Sequence, residues 1–572
     1  MTKRRNLPAI FATAALAASA CTDGDDTDGG ADPSSMSIDD FPRDQTLYTT
    51  GAAWGPPTDF NPISAGQVTG LNGLGYEHLF LFDTVEQRLT PWLAESGAWT
   101  GDLEFEVVLR EGITWSDGNP LTAEDVAFTF ELGRIDGVPF RSVWDWLDSV
   151  EVVDDRTARF HFREARRQEW DNLLYTNEIV PKHVYSKYTE DEILTGPLDE
   201  TPVVSGPYTV HSADDQRIAW VKRDDWWATE ALGLEVRPRF LVDLVTPGNA
   251  DALNMLVDGR LDLANNFLPG IADFLAGEPE LSTYYDKPPF MAAANTAMLI
   301  PNTTRAPLDD PEFRRAMAFA ISPGEIVDSV YGGMVSEAHP TGLLPIWERY
   351  FDAEAIEEHG FAFEPSQAIE ILQAAGYTDE DGDGFVETLD GDKVEMKLIV
   401  PTGWTDWEDA ARSIANGLRD VGINVTEEFI DAAEVDAART SGDFDLLINN
   451  NSRITNSPWS HYRYLFELPI GEAQNTGNFS RWQNDHAWEL TQELATVATD
   501  DPRYPELIGE LQRISLQELP AIPIWYNGAW SQASNAVWTD WPSEETGIYS
   551  SVWDDMAGLG AVRMLTQIRP VE

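Results

Sequence analysis

The stretch LREGITWSDGNPLTAEDV, residues 109–126, narrows the choice of folds more than any other part of the chain. It reads as a strand end, a tight turn and a helix start. Asp117-Gly118 and Asn119-Pro120 supply the positive φ and the extended pre-proline backbone that a tight turn requires. Thr122, with Asp125 three positions on, has the form of an N-terminal capping box. Val126 and Phe130 then share one helix face. A strand joined to a helix by one short turn is the unit of an α/β protein.

At 572 residues the chain exceeds what one core usually serves, so two or three domains are expected. A hydrophobic content of 42% marks those domains as globular. The 38 basic residues stand against 98 acidic ones, a net charge of −60. Nucleic acid is excluded as a partner, because its phosphates would be repelled. An acidic, Lys-poor surface suits work in high salt, where screening acts within roughly 3 Å at 1 M. An ordinary acidic secreted protein fits the same numbers.

Cys21 is the single cysteine, so no intrachain disulfide can form. Lys3-Arg4-Arg5, an apolar run over 7–17 and Ala18-Ser19-Ala20 precede it, which together read as a secretory signal over 1–21. The run is too short to span a membrane, and no later apolar run reaches the ~20 residues that spanning needs. Cysteine directly after small residues resembles a lipoprotein signal, in which the thiol is diacylated; Ala18 stands where that pattern usually has Leu. Arg4-Arg5 fits a twin-arginine signal loosely. Residues 22–45, rich in Asp, Gly and Thr at their start, read as an acidic flexible tether. The expected location is the outer face of the cytoplasmic membrane, or the periplasm.

Residues 109–126 also resemble the signature segment "LR.G..W.DG.P.TA.DV" of the large solute-binding proteins of ABC importers, extracytoplasmic family 5, which includes oligopeptide- and dipeptide-binding proteins. Further matches follow in the same order: Pro91-Trp92-Leu93-Ala94-Glu95-Ser96, Ile179-Val180-Pro181-Lys182-His183-Val184, Gly206-Pro207-Tyr208, and Leu519-Pro520-Ala521-Ile522-Pro523. The resemblance implies a two-lobed periplasmic-binding-protein fold of the large, three-subdomain type, with a hinge between lobes. Lobe I would span 46–285 in two subdomains, lobe II 286–530, and 531–572 would return to lobe I. It further implies a monomer that closes on a small molecule and hands it to an ABC permease, without covalent chemistry.

The ligand class is read from two places. Trp54 with Pro56, Pro57, Phe60, Asn61 and Pro62, and Trp538 with Trp541, Pro542, Glu544 and Glu545, are similar to the cellobiose- and β-glucan-oligosaccharide-binding branch. Peptide-binding relatives carry an aspartate for the α-ammonium near the segment that begins at Asn449. This chain has no Asp or Glu from 449 to 466. A buried ammonium without a counter-charge is costly, whereas the amides of Asn449, Asn450 and Asn451 suit sugar hydroxyls. Trp54, Trp404, Trp459, Trp525 and Trp530, with Asn527, complete the candidate site, since apolar rings stack on the C–H faces of pyranoses. Core filling is the competing role for any single Trp, and oligopeptide binding the competing function.

Strands are expected at 46–51, 424–429 and 443–450, helices at 311–321, 365–377 and 407–421, and a ligand loop at 449–459. Asp379, Asp381, Asp383, Gly384 and Asp390 occupy positions 1, 3, 5, 6 and 12 of a calcium loop. An acidic hairpin without metal fits the same residues, and no other cofactor is implied. A secreted glycoside hydrolase would need two carboxylates ~5–10 Å apart, which 98 acidic residues supply by accident at any spacing. No nucleophile-elbow, zinc or phosphate-loop pattern appears.

Overall fold

The computed structural model describes residues 41–50, 60–64, 73–195, 202–246, 249–275, 281–549 and 561–571. Cys21 and Trp54 lie outside these. The folded part begins earlier than the expected tether boundary. Arg43–Gln45 forms a 3₁₀ turn, and the Arg43 guanidinium donates to both carboxylate oxygens of Asp262, at 2.8 and 2.6 Å. Asp262 is fully buried and also accepts from the Tyr48 backbone N–H.

Three sheets carry the fold. The first has seven strands in the order Leu281–Ser282, Gln532–Ser534, Leu263–Ala264, Thr46–Thr50, Phe240–Leu244, Arg217–Lys222 and Tyr208–Ala213. Thr46–Thr50 runs parallel to both Phe240–Leu244 and Leu263–Ala264. The second has six strands, Ser336–Glu337, Ile522–Gly528, Ala293–Pro301, Leu446–Arg453, Met396–Pro401 and Val425–Ile430. The third is a four-stranded antiparallel sheet, Ala94–Gly101, Glu104–Leu109, Thr157–Phe162 and Leu147–Val152. The chain passes from the first sheet to the second over 283–292 and returns over 529–531.

The expected elements form, with shifted ends. Pro311–Ala320, Pro365–Ala375 and Thr405–Asp420 are helices, and Gly376 takes φ 94 to end the second. Leu446–Arg453 differs more from expectation. Alternation of Phe444, Leu446 and Ile448 suggests one covered face, yet Leu447 is as buried as Leu446. The strand lies at the centre of its sheet with apolar cores on both faces, as near-continuous hydrophobic strands do.

Two of the motifs quoted above meet in space. After Glu104–Leu109 the chain turns at Gly118, φ 85, and enters the helix Ala123–Leu132. Thr122 N–H donates to the Asp125 carboxylate at 2.8 Å, and the other Asp125 oxygen accepts from Lys182 N–H at 2.8 Å. His183 and Asp117 pair at 2.8 Å between Nε2 and Oδ2. The turn and the Pro181-Lys182-His183 segment therefore fix each other.

The most demanding polar group in the first core is Glu77, 1% exposed. Its Oε1 accepts from the indole N–H groups of Trp92 and Trp226 at 3.0 and 3.1 Å, and Oε2 from Trp227 at 2.7 Å. Burial raises its carboxyl above the ordinary range, and the indoles offset part of that. Glu77→Gln turns one of these acceptors into a donor facing an indole N–H. We expect a stability loss of about 1–3 kcal/mol at pH 7 in urea unfolding followed by Trp fluorescence.

Candidate ligand-binding site

In sheets with parallel strands, ligands collect beyond the carboxyl ends of those strands. In the first sheet these ends are Thr50, Leu244 and Ala264; in the second, Pro401, Ile430 and Arg453. Ala264 leads into Asn265, Asn266 and Phe267. Pro401 leads through Gly403, φ 87, to Trp404, which is 46% exposed at the start of the helix Thr405–Asp420. Trp404 meets Trp407 edge-on at 4.9 Å, so one indole is held by another while much of its surface faces solvent.

Beside these ends the two sheets share an aromatic group. Phe267 meets Trp530 edge-on at 5.3 Å, Trp530 stacks on Tyr331 at 6.1 Å, and Tyr331 leans on Trp525 at 5.5 Å. Trp530 comes from the three-residue return crossing. Tyr331 Oη donates to Asp406 Oδ2 at 3.2 Å. Asn295 and Asn527 are directly paired on neighbouring strands. Ala297 and Trp525 belong to the core on one face of the sheet, and two-residue periodicity places Asn295 and Asn527 on that same face. The buried Oδ1 atoms of Asn266, Asn295 and Asn527 have no hydrogen-bond partner among the described residues. These are acceptors, so a group that meets them must donate, as a hydroxyl or N–H does.

The structure distributes the sequence candidates unevenly. Asn449, Asn450 and Asn451 lie within the strand Leu446–Arg453, not in a loop. Asn449 Oδ1 accepts from Tyr464 Oη at 2.7 Å and from Asn451 N–H at 2.8 Å, so its carbonyl is occupied by the fold. Ser452 pairs with His461 on that same side. A bulge opposite Ala297 accounts for the odd spacing of Asn449 and Ser452 and turns Asn450 toward the opposite face. Trp459 opens the helix Trp459–Phe466 at 3% exposure, with Arg463 over its ring at 5.6 Å. Trp525 is fully buried and presents no free face. Trp404 and Trp530 retain exposed surface, and Asn527 an unpartnered acceptor.

The acidic loop brings together part of the expected calcium-loop set. Asp379, Asp381 and Glu387 bring oxygens within 4.8 Å of one another, and neither Asp383 nor Asp390 joins them. Both Asp379 oxygens accept backbone N–H groups, from Gly382 and Gly384. The Lys393 ammonium sits between Asp381 and Asp383. The loop thus holds a cation of its own beside Asp379, Asp381 and Glu387, which stand at positions 1, 3 and 9 of the twelve-position pattern.

Asp406 is a candidate that sequence reasoning missed. Its one signal was an acidic residue two positions after an exposed Trp. Burial pushes its carboxyl from the ordinary 3.8 up to about 6, against the hydrogen bond from Tyr331.

This fold and this junction define a two-lobed α/β binding protein. The model of the bacterial extracellular solute-binding proteins, family 5 (middle region), matches residues 88–469, and the chain belongs to that family. It is a solute-binding protein of the ABC-transporter type. It is 38% identical to an oligopeptide ABC transporter's periplasmic oligopeptide-binding protein from Thermotoga maritima, over 93% of this chain and 100% of that one, with TM-score 0.89. A mannohexaose-bound structure of that protein matches at TM-score 0.85, over 93% of this chain and 99% of that one. The probable ABC transporter periplasmic-binding protein SapA of Escherichia coli is 26% identical over 499 residues, 82% of this chain and 85% of that protein. Among the described residues, no helix is long and apolar enough to cross a membrane.

The raised Asp406 carboxyl favours the folded state in its protonated form. That contribution is full below pH 3.8 and is lost as pH rises through about 6. Asp406→Asn keeps an acceptor for Tyr331 without the charge. The variant should exceed the parent by roughly 2 kcal/mol at pH 8, and the gap should close by pH 4; thermal melts across pH measure it.

Proposed function

We propose that this chain captures an oligosaccharide of the cellobiose or β-glucan type and delivers it to an ABC permease. The observation that carries this reading is the junction itself. Acceptor oxygens of Asn266, Asn295 and Asn527, without a partner among the described residues, lie in a region of aromatic rings. Sugar hydroxyls donate to such oxygens while pyranose C–H faces cover the rings. The mannohexaose-bound Thermotoga structure supports an oligosaccharide in this fold. The proposed contacts are Trp54, Trp404, Asn450, Asn451, Asn527 and Trp530, whereas Asn449, Trp459 and Trp525 support them from within the cores.

The lobes we propose are 46–285 with 531–572, and 286–530, turning about the crossings at 283–292 and 529–531. A ligand touching both lobes shifts the population toward a closed form, which the permease reads. Binding alone accounts for this role, and no catalytic step enters it. A second reading is oligopeptide binding, favoured by the name of the same Thermotoga protein. In that case Asp406, at the junction, is the carboxylate available to an α-ammonium.

Thermal shift with cello- and manno-oligosaccharides and di- to pentapeptides separates the two. A ligand at ~100 times its dissociation constant adds about 2.7 kcal/mol. We expect shifts with oligosaccharides alone, and Trp404→Ala to weaken that binding about tenfold, a loss near 1.4 kcal/mol, with little change in the unliganded melting temperature. Shifts with peptides alone would overturn the sugar assignment. We also propose acylation at Cys21. Cys21→Ser should then move the protein from the membrane fraction to the soluble fraction of cells.

A further inference from the structure

A pocket of about 850 Å³ is lined by residues other than the candidates just described. Its walls come from the first crossing, from the 3₁₀ turn Pro345–Tyr350, and from residues 543–549. Three tyrosines line it. Tyr284 meets Tyr285 edge-on at 4.7 Å and Tyr549 at 5.6 Å with a 48° tilt. Tyr549 Oη donates to the Ala293 carbonyl at 2.7 Å, and Glu544 N–H donates to the Tyr284 carbonyl at 3.2 Å, so the walls are tied together. Asp286, Glu348, Glu544 and Glu545 bring four carboxylates to the lining, and Lys287 one ammonium. Burial chiefly, and the nearby Glu544 charge after it, hold the Tyr284 and Tyr285 hydroxyls in their protonated form.

The geometry points to a second ligand site here, for a linear polyamine. Tyrosine faces attract ammonium groups through the ring quadrupole, and carboxylates form charge-assisted hydrogen bonds with the same groups. A polyamine alternates ammonium groups with methylene spacers, matching a lining that mixes carboxylates with rings. A bare metal ion would leave the rings without a partner, and a neutral molecule would leave an excess of negative charge unanswered. The volume lies within the range of small-molecule pockets. The assignment is independent of which solute the strand-end site captures.

Spermidine titrated into the intact protein by calorimetry tests this, at an ionic strength where charges beyond about 8 Å are screened. One equivalent should bind saturably. Tyr285→Ala, and separately the pair Glu544→Gln and Glu545→Gln, should each weaken it about tenfold, while Tyr285→Phe keeps the ring and the affinity. The pair Glu111→Gln and Glu434→Gln removes the same charge from exposed positions outside the pocket and should leave binding unchanged. Equal weakening by both charge pairs would mean that spermidine is a diffuse counter-ion. That result, or the absence of saturable binding, would overturn the site.

Discussion

Two short crossings hold the two large sheets beside each other, and the candidate site depends on them. The return passes from Ile522–Gly528 to Gln532–Ser534 with Ala529, Trp530 and Ser531 between. Three residues reach at most about 10 Å, so an end of the second sheet stays within a side chain's length of an end of the first. Trp530 meets Phe267 of one sheet's loop and Tyr331 of the other's helix region because it sits in that span. The first crossing, 283–292, is longer, and its tyrosines line the second pocket. A rotation of one lobe against the other therefore has few backbone positions at which to occur, and these lie beside both sites.

Buried charge is handled differently in different parts of the molecule. Asp262 has a guanidinium and a backbone N–H, so its charge is answered directly. Among the described residues, Glu77 has three indole N–H groups and no cation, which satisfies its oxygens without neutralising them. Asp406 has a single side-chain donor, Tyr331, at the junction between sheets. The first two lock the first lobe to its own strands. The third lies beside the aromatic group that the two sheets share, and a carboxyl pushed up to about 6 makes that part of the molecule sensitive to pH.

Much of the fold was legible because its signals are local. Pro311, Gly376 and the Asp117–Pro120 turn set helix and turn positions through φ requirements that no neighbour can alter. The family motifs also meet in space: Asp125 accepts from the Lys182 N–H, and Asp117 pairs with the His183 ring, so segments far apart in sequence hold each other. The site was legible only in part. Exposed Trp404 follows a strand end and a glycine, which a sequence can show. Trp525 and Trp459 look equally available on paper, but each is sealed by neighbours from other segments. Asn449 appeared to be a ligand amide until the strand extended through it and Tyr464 took its carbonyl.

The acidic hairpin shows the same division. Its spacing matches a calcium loop, and spacing is all a sequence gives; Lys393, ten residues beyond Asp383, enters the cluster only when the chain folds back. By itself, then, the sequence determined the α/β class, the family, the turn chemistry and the excess of negative charge, because each rests on residues adjacent in the chain or on composition. Which tryptophans face solvent, which amide oxygens lack partners, and where a buried carboxylate meets the junction were decided by the tertiary structure. Those properties depend on what packs against each side chain, and at this junction the packing partners come from segments hundreds of residues apart.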